Sequence, residues 1–229
     1  MNITRKIITT LLLISTIIAG SSLFTVQAST KDLYIEKEVK FKVTDVNRLI
    51  KKLKDSNAKF IGMAEEKTSR YDDKDDSYRK RKLFFRLRSG LDNVITLKED
   101  VINDKETTKI AKKVETETTI GDLDKLTYIL KKLGLEEKKT MVKYRMKWTL
   151  NNTEVTVDEL PFGIYAEIEG ECEDILETAK ILDFNLNDKI LVTYWELFDD
   201  YKKDHEVSDR ENIVFPKNHK YKLCKDLLK

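Results

Sequence analysis

Histidine and cysteine are nearly missing from this chain, with two of each in 229 residues. So few soft ligands leave no room for a structural zinc site of four Cys or His at regular spacing, or for a dense disulfide scaffold. Seven glycines and two prolines exclude collagen-like repeats and flexible linker arrays. An excess of one charge is also missing, since 43 Lys and Arg stand against 41 Asp and Glu. That balance argues against a general nucleic-acid or anionic-membrane binder, whose footprint would be a net basic domain. The G-x-x-x-x-G-K-[ST] phosphate loop, the G-x-S-x-G nucleophile elbow and the H-E-x-x-H zinc helix are absent as well.

What is present is charge in quantity, 37% of the residues beside 40% hydrophobic. Only the N-terminus carries a long uncharged run. Arg5 and Lys6 precede a stretch from Ile7 to Thr30 that ends its apolar part in Val26-Gln27-Ala28. This pattern predicts a secretory signal, residues 1–28, cleaved after Ala28, and therefore an exported protein, secreted or at the cell surface. The run of 24 residues is also long enough to cross a bilayer as an uncleaved anchor, the one case in which a membrane would be a partner. Polar Ser21-Ser22 and the small residues at the cut favour cleavage. Without residues 1–28 the chain has 201 residues, formally neutral with 41 basic and 41 acidic groups, enough for one domain with a large core. Cys172 and Cys224 are available for pairing in an oxidising exterior, and their spacing alone does not decide it.

The charge follows a period of two. Glu36, Glu38, Lys40 and Lys42 alternate with Ile35, Val39, Phe41 and Val43 in a way that places them on one face of a strand. The alternation returns at Arg86 and Arg88, at Ile95-Thr96-Leu97-Lys98, at Lys113, Glu115 and Glu117, at Lys143, Arg145 and Lys147, and at Glu167 and Glu169. Between these strands lie amphipathic helices. Thr44 or Asp45 caps the first, with Val46, Leu49, Ile50 and Leu53 at helical spacing; Leu123, Leu126, Leu130 and Leu133 make a second, closed by Gly134. Ile175, Leu176, Ala179 and Leu182 make a third, and Leu191, Tyr194, Trp195 and Phe198 a fourth. Strands with interspersed helices give an α+β fold class.

Any antiparallel sheet with one wet side shows such alternation. Six strands of this kind are different, because the helices supply apolar stripes for the apolar faces and leave the charged faces looking toward water or toward each other. If the sheet closes, the charges line its interior, which is costly unless a ligand and metal compensate them. That interior implies a polyanionic ligand.

Glu36-Lys37-Glu38-Val39-Lys40 is similar to the E-x-E-x-K signature of the CYTH superfamily, the triphosphate tunnel metalloenzymes. Tyr71-Asp72-Asp73, Arg86-Leu87-Arg88, Thr96-Leu97-Lys98, Glu115-Thr116-Glu117, Lys143-Tyr144-Arg145, Val157-Asp158 and Glu167-Ile168-Glu169 follow in the order of that family's motifs, so the resemblance spans roughly residues 33–200. It implies a closed or nearly closed antiparallel eight-stranded β-barrel, a tunnel with helices packed outside, over a domain at 29–200 with an extension at 201–229. Lys40, Arg86, Arg88, Lys98, Lys143 and Arg145 would hold phosphate oxygens, and Lys40, Arg86, Arg88 and Lys98 would also be the catalytic residues. Glu36, Glu38, Glu167 and Glu169 would be metal carboxylates with Asp158 as an addition, and Glu115 and Glu117 further tunnel residues. Hard oxygen donors suit Mg²⁺ or Mn²⁺, arginines give forked contacts to phosphate, and lysines act as point charges. Lys113 stands where the family often has Arg, which loses a planar two-point grip.

The expected activity is metal-dependent hydrolysis of a triphosphate, whether inorganic, nucleoside or thiamine triphosphate. A class IV-type adenylyl cyclase and a non-catalytic polyphosphate-binding module are the alternatives. In the extension, His205, His219 and Cys224 are expected to have no part in a site, and Tyr221, Leu223, Leu227 and Leu228 to form a short packing helix.

Overall fold

A computed structural model describes residues 34–101, 110–207 and 212–228; the expected signal segment, 1–28, lies outside the described residues. Eight strands run β1 (Tyr34–Val43), β2 (Lys59–Asp73), β3 (Phe84–Ser89), β4 (Val94–Asp100), β5 (Ala111–Thr119), β6 (Leu135–Leu150), β7 (Thr153–Leu160) and β8 (Gly163–Glu169). They close into a barrel of order β1-β5-β4-β3-β2-β6-β7-β8. Neighbouring strands pair antiparallel all the way around, so the expected α+β barrel is the fold.

The helices form where capping and apolar spacing agree. In α1 (Val46–Asp55) the Asp45 carboxylate accepts from the Arg48 amide at 3.0 Å, and Leu49, Ile50 and Leu53 are buried. Asp122 caps α3 (Leu123–Lys132) in the same way at 2.9 Å, and Gly134 just beyond its end has φ +84°. The third expected helix is α4 (Cys172–Ile181). The fourth is α5 (Tyr194–Asp204), which starts at a capping box of Thr193 and Glu196 and so leaves Leu191 ahead of it. One short helix, α2 (Ser77–Lys80), was not expected. It sits in the β2–β3 turn, where Asp72 accepts from the amides of Tyr78 and Arg79 at 3.0 Å each. Asp72 and Asp73 thus serve this turn.

The core lies outside the barrel wall. Val39, Phe41, Met146, Trp148, Val155, Val157, Ala166 and Ile168 pack under α1 and α4, while Leu87 and Leu135 pack under Leu130 of α3. The apolar faces predicted from alternation are thus covered by helices, and the charged faces turn inward. Cys172 and Cys224 are free thiols in this structure. The C-terminal segment wraps the outside, with Leu223 buried and a 3-10 turn at Lys225–Leu228 in place of the expected helix. Among the described residues no helix is long and apolar enough to cross a membrane.

Candidate active site

Strand register shows which side chains share the interior. Lys40 lies opposite Glu167 and Glu38 opposite Glu169 across β1 and β8. Arg145 faces Asp158 across β6 and β7, Glu66 faces Lys143 across β2 and β6, and Thr96 and Lys98 face Glu117 and Glu115 across β4 and β5. Directly opposed residues in an antiparallel pair point to one side, so the expected charges from seven strands converge, and Glu66 joins them from β2.

They pair with one another around the barrel. Lys98 donates to Glu36 and lies 2.9 Å from Glu115; Arg86 lies 3.6 Å from Glu115 and 3.8 Å from Glu117. Arg88 reaches Glu117 at 3.2 Å and Glu66 at 4.0 Å. Lys143 is 3.2 Å from Glu66 and 3.1 Å from Asp158, while Arg145 holds Asp158 and Glu167 at 2.5 Å each. Lys40 closes the circuit, donating to Glu38 and lying 3.4 Å from Glu167. The hydroxyls of Thr96 and Thr156 contact Glu117 and Glu167 at 2.7 and 3.4 Å.

Burial makes these pairings strong. Burial alone would discharge Lys40, yet Glu38 and Glu167 outweigh it and raise its pKa. Glu66 is likewise opposed by burial, but Lys143, Arg145, Arg88 and Arg86 lower it to about 2. Glu167 is held well below the usual carboxylate range against burial, chiefly by Lys40 and Arg145. Glu169 behaves oppositely: burial first, then Glu36, Glu154 and Glu38, raise it to about 7 although Tyr34 donates to it at 2.7 Å. One end of the tunnel therefore carries carboxylates in excess of local cations.

The other end is closed by α5. Met141, Leu160 and Tyr165 lie on the inward faces of their strands, and Tyr194 and Phe198 pack onto them. Ile190 pairs with the Lys40 backbone on one flank of α5, and Ile213 with Thr140 and Val142 on the other. Tyr194 is buried; its hydroxyl donates to Asp158 at 3.0 Å, and its ring lies 5.7 Å from the Lys40 ammonium and 5.3 Å from that of Lys143.

Every expected tunnel residue is thus in the shared interior: Glu36, Glu38, Lys40, Arg86, Arg88, Lys98, Glu115, Glu117, Lys143, Arg145, Asp158, Glu167 and Glu169. Asp158 has both oxygens engaged by Arg145, Lys143 and Tyr194. Lys113 stands at the rim with Asp100 at 2.5 Å. Sequence reading missed Glu66 and Tyr194. Glu66 sits in the run Glu65-Glu66-Lys67, which has no period, and Tyr194 occupies an apolar helix position.

All the acidic donors are hard oxygens, and Glu169, raised by burial and by Glu36, Glu154 and Glu38, is a tunnel carboxylate with no cation paired to it among the described residues, so the donor chemistry fits a divalent cation. Among the described residues, no three carboxylates, histidines or cysteines are already grouped for one.

The CYTH domain model matches residues 34–186. A Methanocaldococcus jannaschii protein that carries the name putative adenylate cyclase is 30% identical over 152 residues, 65% of this chain and 84% of that one. A solved Vibrio parahaemolyticus structure described as a putative adenylate cyclase superposes with a TM-score of 0.64 at 18% identity, over 72% of this chain and 98% of that one. A Hippeastrum protein, described as a putative adenylyl cyclase with a dominant triphosphatase activity, superposes with a TM-score of 0.51 at 13% identity, over 76% of this chain and 98% of that one. With its matched motifs gathered inside a closed eight-stranded barrel, this chain belongs to the CYTH domain family.

Proposed function

We propose that the protein hydrolyses a triphosphate, inorganic, nucleoside or thiamine triphosphate, bound lengthwise in the tunnel and assisted by Mg²⁺ or Mn²⁺. The observation that carries this reading is the enclosed circuit of acids and bases contributed by all eight strands. Cations that pair with carboxylates can exchange them for phosphate oxygens at little desolvation cost, because the groups are already buried. Lys40, Arg86, Arg88, Lys98, Lys143 and Arg145 would grip the phosphates. Glu36, Glu38, Glu167 and Glu169 would hold the cation, which would supply charge neutralisation and orient the attacking water. A loose phosphoryl-transfer transition state needs alignment and charge compensation more than a strong base, and these side chains offer both. Asp158 and Tyr194 would position Arg145 and Lys143 instead of touching substrate.

Adenylyl cyclase is the second reading, favoured by the name of the Methanocaldococcus jannaschii relative. The same grip would then align a ribose hydroxyl with the innermost phosphorus. We propose export as well, on the N-terminal pattern; nucleotide is scarce outside the cell, and a cyclic product made there would not reach a cytoplasmic receptor. That weighs toward hydrolysis.

The test is phosphate release from a panel of triphosphates with Mg²⁺ and Mn²⁺, together with chromatography of an ATP incubation. Hydrolysis predicts metal-dependent phosphate abolished by Glu36→Ala or Arg86→Ala. Full activity in either variant removes the tunnel mechanism, a cyclic nucleotide favours the second reading, and tight binding without product marks a binding module.

A further inference from the structure

The C-terminal turn of α3 stands out from the barrel. Leu123, Leu126 and Leu130 pack inward, but from Tyr128 to Leu133 every residue except Leu130 is exposed. Tyr128 is 62% exposed, Ile129 50% and Leu133 72%, so the two most exposed large apolar side chains among the described residues share this turn. Lys131 and Lys132 lie among them with no carboxylate partner in the described residues, and the Lys132 ammonium sits over the Tyr128 ring at 5.3 Å. Lysines in a last turn complement the helix dipole. Apolar side chains there gain nothing from it.

The acids of α3, Asp122 and Asp124, lie at its other end, where Asp122 already holds Lys125 at 2.9 Å, and Glu136 beyond the turn is paired with Lys138 at 3.1 Å. Tyr78 of α2 packs on the same apolar cluster as Leu123 and Leu126, so the run Arg79-Lys80-Arg81-Lys82 lies on this side of the barrel. Asp76 holds Arg79 at 3.3 Å, Asp100 lies 3.8 Å from Lys82, and Arg81 covers the Tyr78 ring at 4.9 Å. The chain is balanced in charge as a whole, yet the protruding turn itself has two cations and no acid.

We propose that this turn seats the barrel on an anionic lipid surface, with Tyr128, Ile129 and Leu133 entering the headgroup layer and Lys131 and Lys132 meeting lipid phosphates. A ten-residue helix is too short to cross a bilayer, so the contact is interfacial. Tyrosine suits that boundary, with an apolar ring and a polar tip, and lysine stems reach from apolar surroundings to charged headgroups. A second copy of the chain fits less well. Three side chains supply less than the ~800 Å² per partner of a standard interface, and two-fold pairing about this turn would set Lys131 and Lys132 against the same residues of the copy.

The test is co-sedimentation of the chain from Ser29 onward, which holds the whole closed barrel, with vesicles of phosphatidylcholine alone or mixed equally with phosphatidylglycerol. The wild type is expected to bind the mixed vesicles on the order of tenfold tighter than the neutral ones. Tyr128→Ser combined with Leu133→Ser should weaken binding to the mixed vesicles by on the order of tenfold, and Lys131→Gln combined with Lys132→Gln should remove the preference for anionic lipid. All four side chains are exposed, so both double variants should melt with the wild type. Should the serine pair melt lower, the glutamine pair alone decides. A wild type that ignores both vesicles overturns the proposal, as does undiminished binding in a variant that melts normally. A dimer in sedimentation equilibrium that the serine pair dissolves also overturns it, because the surface then belongs to a second copy.

Discussion

Arg145 and Asp158 face each other across the β6–β7 pair, and the guanidinium spans both carboxylate oxygens, Nε at 2.6 Å and Nη2 at 2.5 Å. Asp158 is fully buried, and the same Nη2 reaches Glu167 at 2.5 Å. Removing one member of such a pair strands a buried charge, which costs about 3–5 kcal/mol. Asp158→Ala should therefore lower the urea midpoint by that equivalent. Arg86→Ala, whose carboxylates are distant, should cost far less stability while abolishing activity. Equal unfolding midpoints for the two variants would contradict this division between scaffold and substrate grip.

Glu66 gives the tunnel a signature in acid. Its carboxyl is held at about 2 against an ordinary 4.5, so the folded state binds its proton later than the unfolded state does. The resulting stability is fully present above pH ~4.5 and is lost as pH falls toward ~2, on the order of 3 kcal/mol in all. Denaturant titrations of the wild type across that window should show the decline, and Glu66→Gln should flatten it. A Glu66→Gln protein whose stability falls as steeply as the wild type's would place the acid sensitivity elsewhere.

Tyr194 joins the plug to the charged interior through one hydroxyl. Tyr194→Phe keeps the ring against Met141, Leu160 and Tyr165 and removes the bond to Asp158. A hydrogen bond to a charged group contributes about 1.5–3 kcal/mol, so a loss of that size is expected in equilibrium unfolding. No change would mean that Lys143 and Arg145 alone satisfy Asp158.

The sequence made some of this visible and hid the rest for physical reasons. Strands such as β1 and β3 were legible because one face meets the helices and the other the tunnel, so charge and apolarity alternate cleanly. Two further strands, β2 and β7, came only through the family resemblance: Glu65-Glu66-Lys67 has charge on both faces, and the buried run of β7 shows a single charged tunnel position at Asp158. Tyr194 read as helix core, which it is, and its hydroxyl's role depends on a strand far away in sequence. The outer strap at 212–228 has no periodicity, since it is held by individual side chains rather than by a stripe.

That strap depends on Glu159, which points away from the tunnel. Its carboxylate is almost fully buried and accepts from the amides of Lys222 at 2.6 Å and Leu223 at 2.8 Å, with the His219 ring at 2.9 Å. His219 thus has a structural neighbour, while His205 stacks on Tyr201. Glu159→Ala removes both acceptor oxygens and leaves the buried Lys222 and Leu223 amides unsatisfied at about 1–3 kcal/mol. Leu223 remains buried and Tyr221 still donates to Glu65 at 2.5 Å, so the strap should loosen without detaching. Amide hydrogen exchange at Lys222 and Leu223 should accelerate in the variant, with phosphate release unchanged because the tunnel charges lie on the opposite face of β7. Exchange as slow as in the wild type would show that the apolar contacts alone hold the strap.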